Sequence, residues 1–229
     1  MQSVPPPTTI APGVTVPMTS GVEVDALLAL ASAGDVRTIA RQIQARAEVD
    51  GSVTPTLERW VVPALRETGL RWQRHEYSVA DDHVITNTLS EALGVARAAM
   101  PPIEVHGTAA AVTLGSDQHE ICARLTQVCL DGAGFSCVLL GRGLPIGDLV
   151  RWVNETSPDI LACSVPITLD PARANAELIA LCSSLGPRTT IYVGGAGAAL
   201  LGFVPPGVCY LRSLHELEAA MIARRRNRG

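Results

Sequence analysis

The hydrophobic positions of this 229-residue chain follow two patterns that meet near residue 102. From Val22 to about Met100 the apolar residues recur at helical spacing. Val36, Ile39, Ile43 and Ala47 stand at i, i+3, i+7 and i+11, one stripe of a 3.6-residue helix that follows Gly34-Asp35. Thr54-Pro55 supplies an N-cap hydroxyl and then a proline in the first turn. Leu57, Trp60, Val61, Ala64 and Thr68 line one face of the helix it opens, with Pro63 bending it. Ser78-Val79-Ala80-Asp81 reads as a capping box ahead of a helix that turns Ile85, Leu89 and Leu93 inward. Four helices with short connections predict a bundle over residues 21–102.

Past Pro101-Pro102 and Gly107, short apolar runs alternate with helical stretches. The runs at 109–114, 137–140, 160–165, 190–193 and 208–211 predict strands. The stretches at 120–133, 147–154, 171–185 and 213–225 predict helices. Strands that are apolar throughout and separated by helices predict a parallel sheet covered on both faces. The expected fold class is therefore α + α/β: a four-helix bundle cap, then a flavodoxin-like sheet of five parallel strands over residues 107–229. Ligands of such sheets bind at the carboxyl ends of the strands, so the loops after Leu114, Leu140, Val165 and Val193 share one rim. Residues 1–20 hold five prolines and no charged side chain, which predicts a flexible, Pro-rich leader.

Composition refines this outline. Hydrophobic residues at 47% and charged residues at 17% indicate a globular chain, and a net charge of −4 argues against a general nucleic-acid binder. The basic cluster of Arg224, Arg225, Arg226 and Arg228 reads as a solvated tail. Six cysteines without a CxxC pair suit buried free thiols in a reducing, cytoplasmic setting. No apolar run reaches the 18 residues a membrane span needs, and the first 20 residues lack the basic start of a signal peptide.

The chemistry concentrates on the rim. The first strand is followed by Gly115-Ser116-Asp117-Gln118-His119-Glu120. A histidine just before a helix suits a general base, a metal ligand or an N-terminal cap. Asp117 could accept a proton from the second imidazole nitrogen, the partner a metal-bound histidine usually has. The third strand ends in Ser164, with Thr168 in the loop beyond. The fourth ends in Gly194-Gly195-Ala196-Gly197, where a missing Cβ lets a ligand approach the backbone. Gly141-Arg142-Gly143 suits an anion or a tight turn equally. No GxGxxG follows the first strand and no GxxxxGK[ST] occurs, so neither a dinucleotide site nor a P-loop is supported. One histidine cannot hold a bare metal ion, yet it can give the axial bond to a metal already ringed by a macrocycle.

Asp117-Gln118-His119, Ser164-Val165-Pro166 and Gly194-Gly195 resemble the cobalamin-binding signature DxHxxG…SxL…GG. The resemblance implies a cobalamin with His119 as lower cobalt ligand and Asp117 orienting it. Ser164, Gly194 and Gly195 would line the slot for the displaced nucleotide tail, with Thr168 also on the cofactor. Cys122 stands where the family has glycine, and Pro166 where it often has leucine; either would tighten that slot.

The first half carries its own resemblance. Val62-Pro63-Ala64-Leu65, Gly69, Trp72 and Asp82-His83 resemble the helical cap over the upper corrin face in corrinoid methyltransferase subunits and CarH-type photoreceptors. In those photoreceptors a Trp over the upper ligand is followed ten residues later by Glu-His; here Asp82-His83 follows Trp72, with the shorter acid. The resemblance implies that Trp72 packs on the upper ligand of adenosylcobalamin, with Asp82 beside it. His83 would take the cobalt position once light breaks the cobalt–carbon bond. Read without the family, His83 joins Thr86, Asn87 and Ser90 on the polar face of its helix. His75 is expected to be exposed, and Trp60 and Trp152 to pack in a core or interface.

The function implied is a cobalamin photoreceptor that signals to a separate protein partner, a sensor more than an enzyme; if enzymatic, it would be a corrinoid methyltransferase subunit. It would lack the DNA-binding domain of the CarH type, so direct nucleic-acid contact is not expected, while light-dependent homo-oligomers are. A likeness to the photocobilin group adds a non-covalent bilin, biliverdin, beside the cobalamin. The alternative is a corrinoid shuttle protein of a methyltransferase system, which would use the same His119 to carry a methyl group.

Overall fold

The structure, a computed structural model, describes residues 20–115 and 120–227. The leader expected over residues 1–20 lies, but for Ser20, outside them. Helix α1 (Gly21–Ser32) opens on a capping box between Ser20 and Glu23. Helix α2 (Val36–Asp50) opens on Asp35, whose carboxylate accepts the Thr38 N–H, and stops at Gly51 in the left-handed conformation. Helix α3 (Val53–Thr56) runs through a π-helical turn, Leu57–Val61, into α4 (Val62–Gln73). Helix α5 (Val79–Ala98) begins on the Ser78–Asp81 capping box that the sequence predicts.

Where the sequence predicts a bend at Pro63, the chain runs through that π turn just before the proline. Pro63 has no N–H to continue the helical ladder, and just before it Val62 N–H reaches back five residues to the Leu57 carbonyl. The guanidinium of Arg59 bonds the Pro55 carbonyl at 3.2 Å, so a main-chain acceptor upstream of the turn is served by a side chain. The predicted stripes are buried: Ile39 and Ile43 on α2, Leu57, Trp60, Val61, Ala64 and Thr68 along α3 to α4, and Ile85, Leu89 and Leu93 on α5. Trp60 is 2% exposed, donates its indole N–H to the Glu23 carbonyl at 3.3 Å and lies under the Arg46 guanidinium at 4.5 Å.

The second half alternates as expected: β1 (Gly107–Thr113), α6 (Ile121–Gly132), β2 (Phe135–Gly141), α7 (Ile146–Thr156), β3 (Ile160–Ser164) and α8 (Pro171–Ser184). Then come β4 (Thr190–Gly194), a 3-10 turn (Ala196–Leu200), β5 (Val208–Tyr210) and α9 (Leu214–Arg226). The strands are parallel in the order β2-β1-β3-β4-β5, the flavodoxin-like sheet anticipated. Successive strand residues turn to opposite faces. Ala109, Ala111, Ile160 and Ala162 join the core under α6 and α9, while Ala110, Val112, Leu161 and Cys163 join the core under α7 and α8.

The helical half packs on the α6 and α9 side, and its core is continuous with that face of the sheet. Polar contacts fix the relation. Arg97 near the end of α5 pairs with Asp131 near the end of α6, Ser52 donates to Glu218, and the Glu58 carboxylate accepts the Leu214 N–H at 2.8 Å. Among the described residues no helix is long and apolar enough to cross a membrane.

Two expectations change. Arg224 is half-buried and donates to the Thr190 hydroxyl at 2.8 Å and the Asp159 carbonyl at 3.3 Å. Arg224, Arg225 and Arg226 are thus the last turn of α9, where cations complement the helix dipole; Arg225 and Arg226 are exposed, as a solvated run would be, and Arg228 lies outside the described residues. The cysteines also divide. Cys129, Cys137 and Cys163 are buried, but Cys209 is exposed because β5 is a short edge strand with one neighbour. Burial pushes the Cys129 thiol up to about 12, and Cys137 and Cys163 upward too, which removes the reactive thiolate at neutral pH. Alkylation of native protein at pH 7.5, followed by peptide mass spectrometry, is therefore expected to modify Cys209. Those three buried thiols should react only after unfolding.

Candidate functional site

Helix α6 leaves the end of β1 toward one face of the sheet, and α8 leaves the end of β3 toward the other. A crevice opens between two strands whose connections diverge in this way. The β1 side turns at Gly115, whose φ is +76°. A Cβ there would stand 2.7 Å from a Leu169 methyl, and the Gly115 N–H donates to the Glu177 carboxylate at 3.0 Å. Asp117 and His119, the proposed lower-face residues, lie in 116–119, outside the described residues. Glu120, directly after them, pairs with Arg124 at 3.2 Å.

On the β3 side, Ser164 is 6% exposed, sits opposite Gly194 in the ladder and accepts the Leu114 N–H through its carbonyl at 2.9 Å. Gly195 adopts φ 100° and ψ 167°. A Cβ on Gly195 would lie 2.6 Å from the Val165 carbonyl oxygen and 3.1 Å from the Ser164 hydroxyl. At Gly197 it would lie 2.2 Å from the Pro166 carbonyl oxygen. The space the missing side chains leave at Gly195 and Gly197 is thus filled by the loop after β3. These glycines first let two rim loops interlock. Thr168 is exposed on the same loop, Pro166 accepts the Leu169 N–H at 3.1 Å, and Cys122 is half-buried on α6.

The other predicted residues lie on the α4–α5 hairpin. Trp72 is 49% exposed near the end of α4, His83 is exposed and Asp82 half-buried in the first turns of α5. The Thr86 hydroxyl donates to the Asp82 carbonyl at 2.8 Å and lies 3.3 Å from that of His83. His75 is exposed, as expected, and takes the left-handed conformation in the turn. Arg71 braces the hairpin: it bonds Glu67 at 2.9 Å and the Tyr77 hydroxyl at 3.0 Å, and pairs with Asp25 of α1. These partners, Glu67 first, raise the guanidinium pKa further, so the brace stays charged at any working pH.

The packing of the two halves carries this hairpin past the rim. Helices α5 and α6 are tied at their C-terminal ends, but α5 has 20 residues and α6 has 12. At 1.5 Å per residue, roughly the first 12 Å of α5 extends beyond the start of α6. The second tie agrees, since from Ser52 to Glu58 the chain climbs from Glu218 toward the start of α9, and α4 continues that way. Leu70, Trp72, Val79 and Val84 are exposed on the projecting hairpin, and Ile167 is exposed on the rim. Clustered exposed apolar side chains mark a surface that a ligand or partner covers. Among the described residues no group of three or more His, Cys, Asp or Glu is placed to hold a metal ion.

Glu177 and Leu169 escaped the sequence reading. Arg173 and Glu177 look like an ordinary i, i+4 helix pair, and nothing local says that Glu177 reaches a loop 62 residues away.

Residues 23–97 match the family model described as B12 binding domain. The chain is 25% identical over 138 residues to the HTH-type transcriptional repressor CarH of Myxococcus xanthus, covering 60% of this chain and 46% of the repressor. It is 25% identical over 164 residues to dimethylamine corrinoid protein 3 of Methanosarcina acetivorans, covering 68% of this chain and 73% of that protein. The chain thus spans just under half the length of the repressor. In fold it is similar to the Methanosarcina barkeri monomethylamine corrinoid protein, at TM-score 0.68 and 16% identity over 90% of this chain and 100% of the other.

Proposed function

We propose that this cobalamin-binding protein, whose residues 23–97 form a B12 binding domain, is a light sensor that holds adenosylcobalamin between the sheet rim and the α4–α5 hairpin. The division falls between a cap over residues 21–102 and a sheet domain over 107–229. Bound adenosylcobalamin supplies a cobalt–carbon bond that light can break. The residues of this chain hold and gate it. His119 would offer a neutral imidazole nitrogen to the cobalt, and Asp117 would hold its other N–H and so fix the tautomer. Ser164, Thr168, Gly194 and Gly195 shape the slot beside it. Trp72 would cover the corrinoid's exposed side and exclude water, Asp82 would stand beside it, and His83 would be the second imidazole available to the cobalt. The observation that carries this reading is the exposed pair Trp72 and His83 on a hairpin that projects past the rim.

A corrinoid shuttle protein is the second reading. It is favoured by the alignment with the dimethylamine corrinoid protein, which covers 73% of that protein against 46% of the repressor. The sensor reading also includes a protein partner, light-dependent self-association and work in the cytoplasm, which free buried thiols suit.

The test is the absorption spectrum of protein loaded with adenosylcobalamin, before and after green light. Conversion to a stable spectrum of cobalt with two imidazole ligands is expected, and its loss in His83→Ala. His119→Ala should lose the lower-imidazole signature and bind cobalamin about 100-fold more weakly. An unchanged spectrum in the light, together with methyl transfer by a partner enzyme, would establish the shuttle instead. Added biliverdin should produce a long-wavelength band if a bilin shares the site.

A further inference from the structure

We infer that Arg71 is a positioning residue that holds Trp72 and His83 in one frame at the tip of the α4–α5 hairpin; this rests on the reading of those two residues as facing a corrinoid. The tip has no core of its own. Between Thr68 on α4 and Ile85 on α5 no residue is buried, and residues 72–76 and 78–81 are all exposed. Apolar packing therefore does not set Trp72 relative to His83. The turn between them is also strained at His75, whose φ of 59° is a left-handed conformation that residues other than glycine seldom take. A half-exposed indole offers apolar area and an exposed imidazole offers a nitrogen donor, two groups that the open side of a corrinoid can use.

Arg71 closes this turn with its main chain and its side chain together. Its carbonyl accepts the Glu76 N–H at 2.9 Å and the Tyr77 N–H at 3.3 Å. Each of its three guanidinium nitrogens serves a different partner. Nε bonds Glu67 one turn back on α4, one terminal nitrogen bonds the Tyr77 hydroxyl ahead of α5, and the other pairs with Asp25 on α1. The guanidinium also lies 5.5 Å from the centre of the Tyr77 ring. A planar fork holds three partners in a fixed geometry, which an ammonium on a flexible stem does not. Trp72 follows Arg71 directly, and Ser78, which follows Tyr77, caps the helix that carries His83. Separating the two arms therefore breaks bonds to Arg71.

The measurement uses the full chain and has two readouts: amide deuterium exchange without cobalamin, and the spectrum after green light with adenosylcobalamin loaded. In Arg71→Ala the Glu76 and Tyr77 amides should exchange at least about tenfold faster, while the amide of buried Leu89 on α5 stays as in wild type. The two-imidazole spectrum should form at least about tenfold more slowly, because the imidazole is no longer held in place beforehand. Tyr77→Phe keeps the ring on the core and loses only the hydroxyl, and Asp25→Ala removes the tie to α1. Both should fall between wild type and Arg71→Ala, and they carry the test if Arg71→Ala does not fold. Arg71→Lys keeps the charge without the fork and should recover less than half of either effect. A tip no looser than wild type, a loose tip with the wild-type rate, or full recovery in Arg71→Lys would overturn the inference. A wild type that forms no two-imidazole spectrum, or a His83→Ala variant that forms it normally, would instead overturn the reading on which it stands.

Discussion

Gly195→Ala is expected to destabilise the protein by about 3 kcal/mol or more and to disorder the rim. The backbone at Gly195, φ 100° and ψ 167°, lies in a region that only glycine populates readily. Relaxing φ offers no escape, because the Gly194 carbonyl accepts Val165 N–H at 2.8 Å and Gly197 N–H donates to the Val165 carbonyl at 3.0 Å. A methyl group 2.6 Å from the Val165 oxygen must break one of these bonds or push the β3 loop away. Gly147→Ala serves as the contrast. It lies in the first turn of α7 with nothing within 4 Å of its Cβ, so alanine there should add about 0.5–1 kcal/mol. Urea unfolding of both variants measures the pair. Equal stabilities would show that the two rim loops are not locked as described.

Trp60→Ala should cost about 3–5 kcal/mol, the range for emptying the site of a large buried aromatic. The side chain is 2% exposed, and its loss also leaves the Glu23 carbonyl without the indole donor and Arg46 without its aromatic partner. Trp60→Phe keeps most of the packing and should recover more than half of the deficit. The more telling result is the shape of the transition. Trp60 belongs to a core that runs without a break from the helical half into the α6 and α9 face of the sheet. Both halves should therefore melt together, with far-ultraviolet dichroism and a probe on the sheet giving one midpoint that Trp60→Ala lowers for both. A cap that melts first and leaves the sheet folded would show the shared core to be weaker than its burial implies.

The predicted elements follow from the periodic patterns because the energy that selects them is local in sequence. The stripe Val36, Ile39, Ile43 and Ala47 and the capping box at Ser78 report helices directly. The apolar runs report strands buried on both faces. Strand ends came within a few residues, with β1 starting two residues earlier than the apolar run. The π turn ahead of Pro63 was less legible. A missing N–H forbids the regular ladder, but whether the chain kinks or widens into a π turn depends on what packs around it, here the buried Trp60 and the Arg59 contact to Pro55.

The candidate site divides in the same way. The rim residues were legible because strand order and the residue after each strand place them, and Ser164 and Gly194 do end adjacent strands. The reason for the glycines was not legible. Sequence offers a missing Cβ, and only the fold says that the Val165 and Pro166 carbonyls occupy the space at Gly195 and Gly197. The side-chain partners of Arg224 were hidden for the same reason, since Thr190 and Asp159 are distant in the chain.

The sequence by itself determined two regimes of periodicity, the parallel sheet and its order of helices, and the residues that end at one rim, because each depends on short-range spacing. Only the tertiary structure decided how the halves meet. The Arg97–Asp131 tie and the Glu58 contact to Leu214 set the relative heights of α5, α6 and α9, and these heights project Trp72 and His83 past the rim. Tertiary structure also decided that Glu177 reaches Gly115 across 62 residues. Contacts between distant segments leave no periodic mark on either one, so they become visible only when the chain has brought them together.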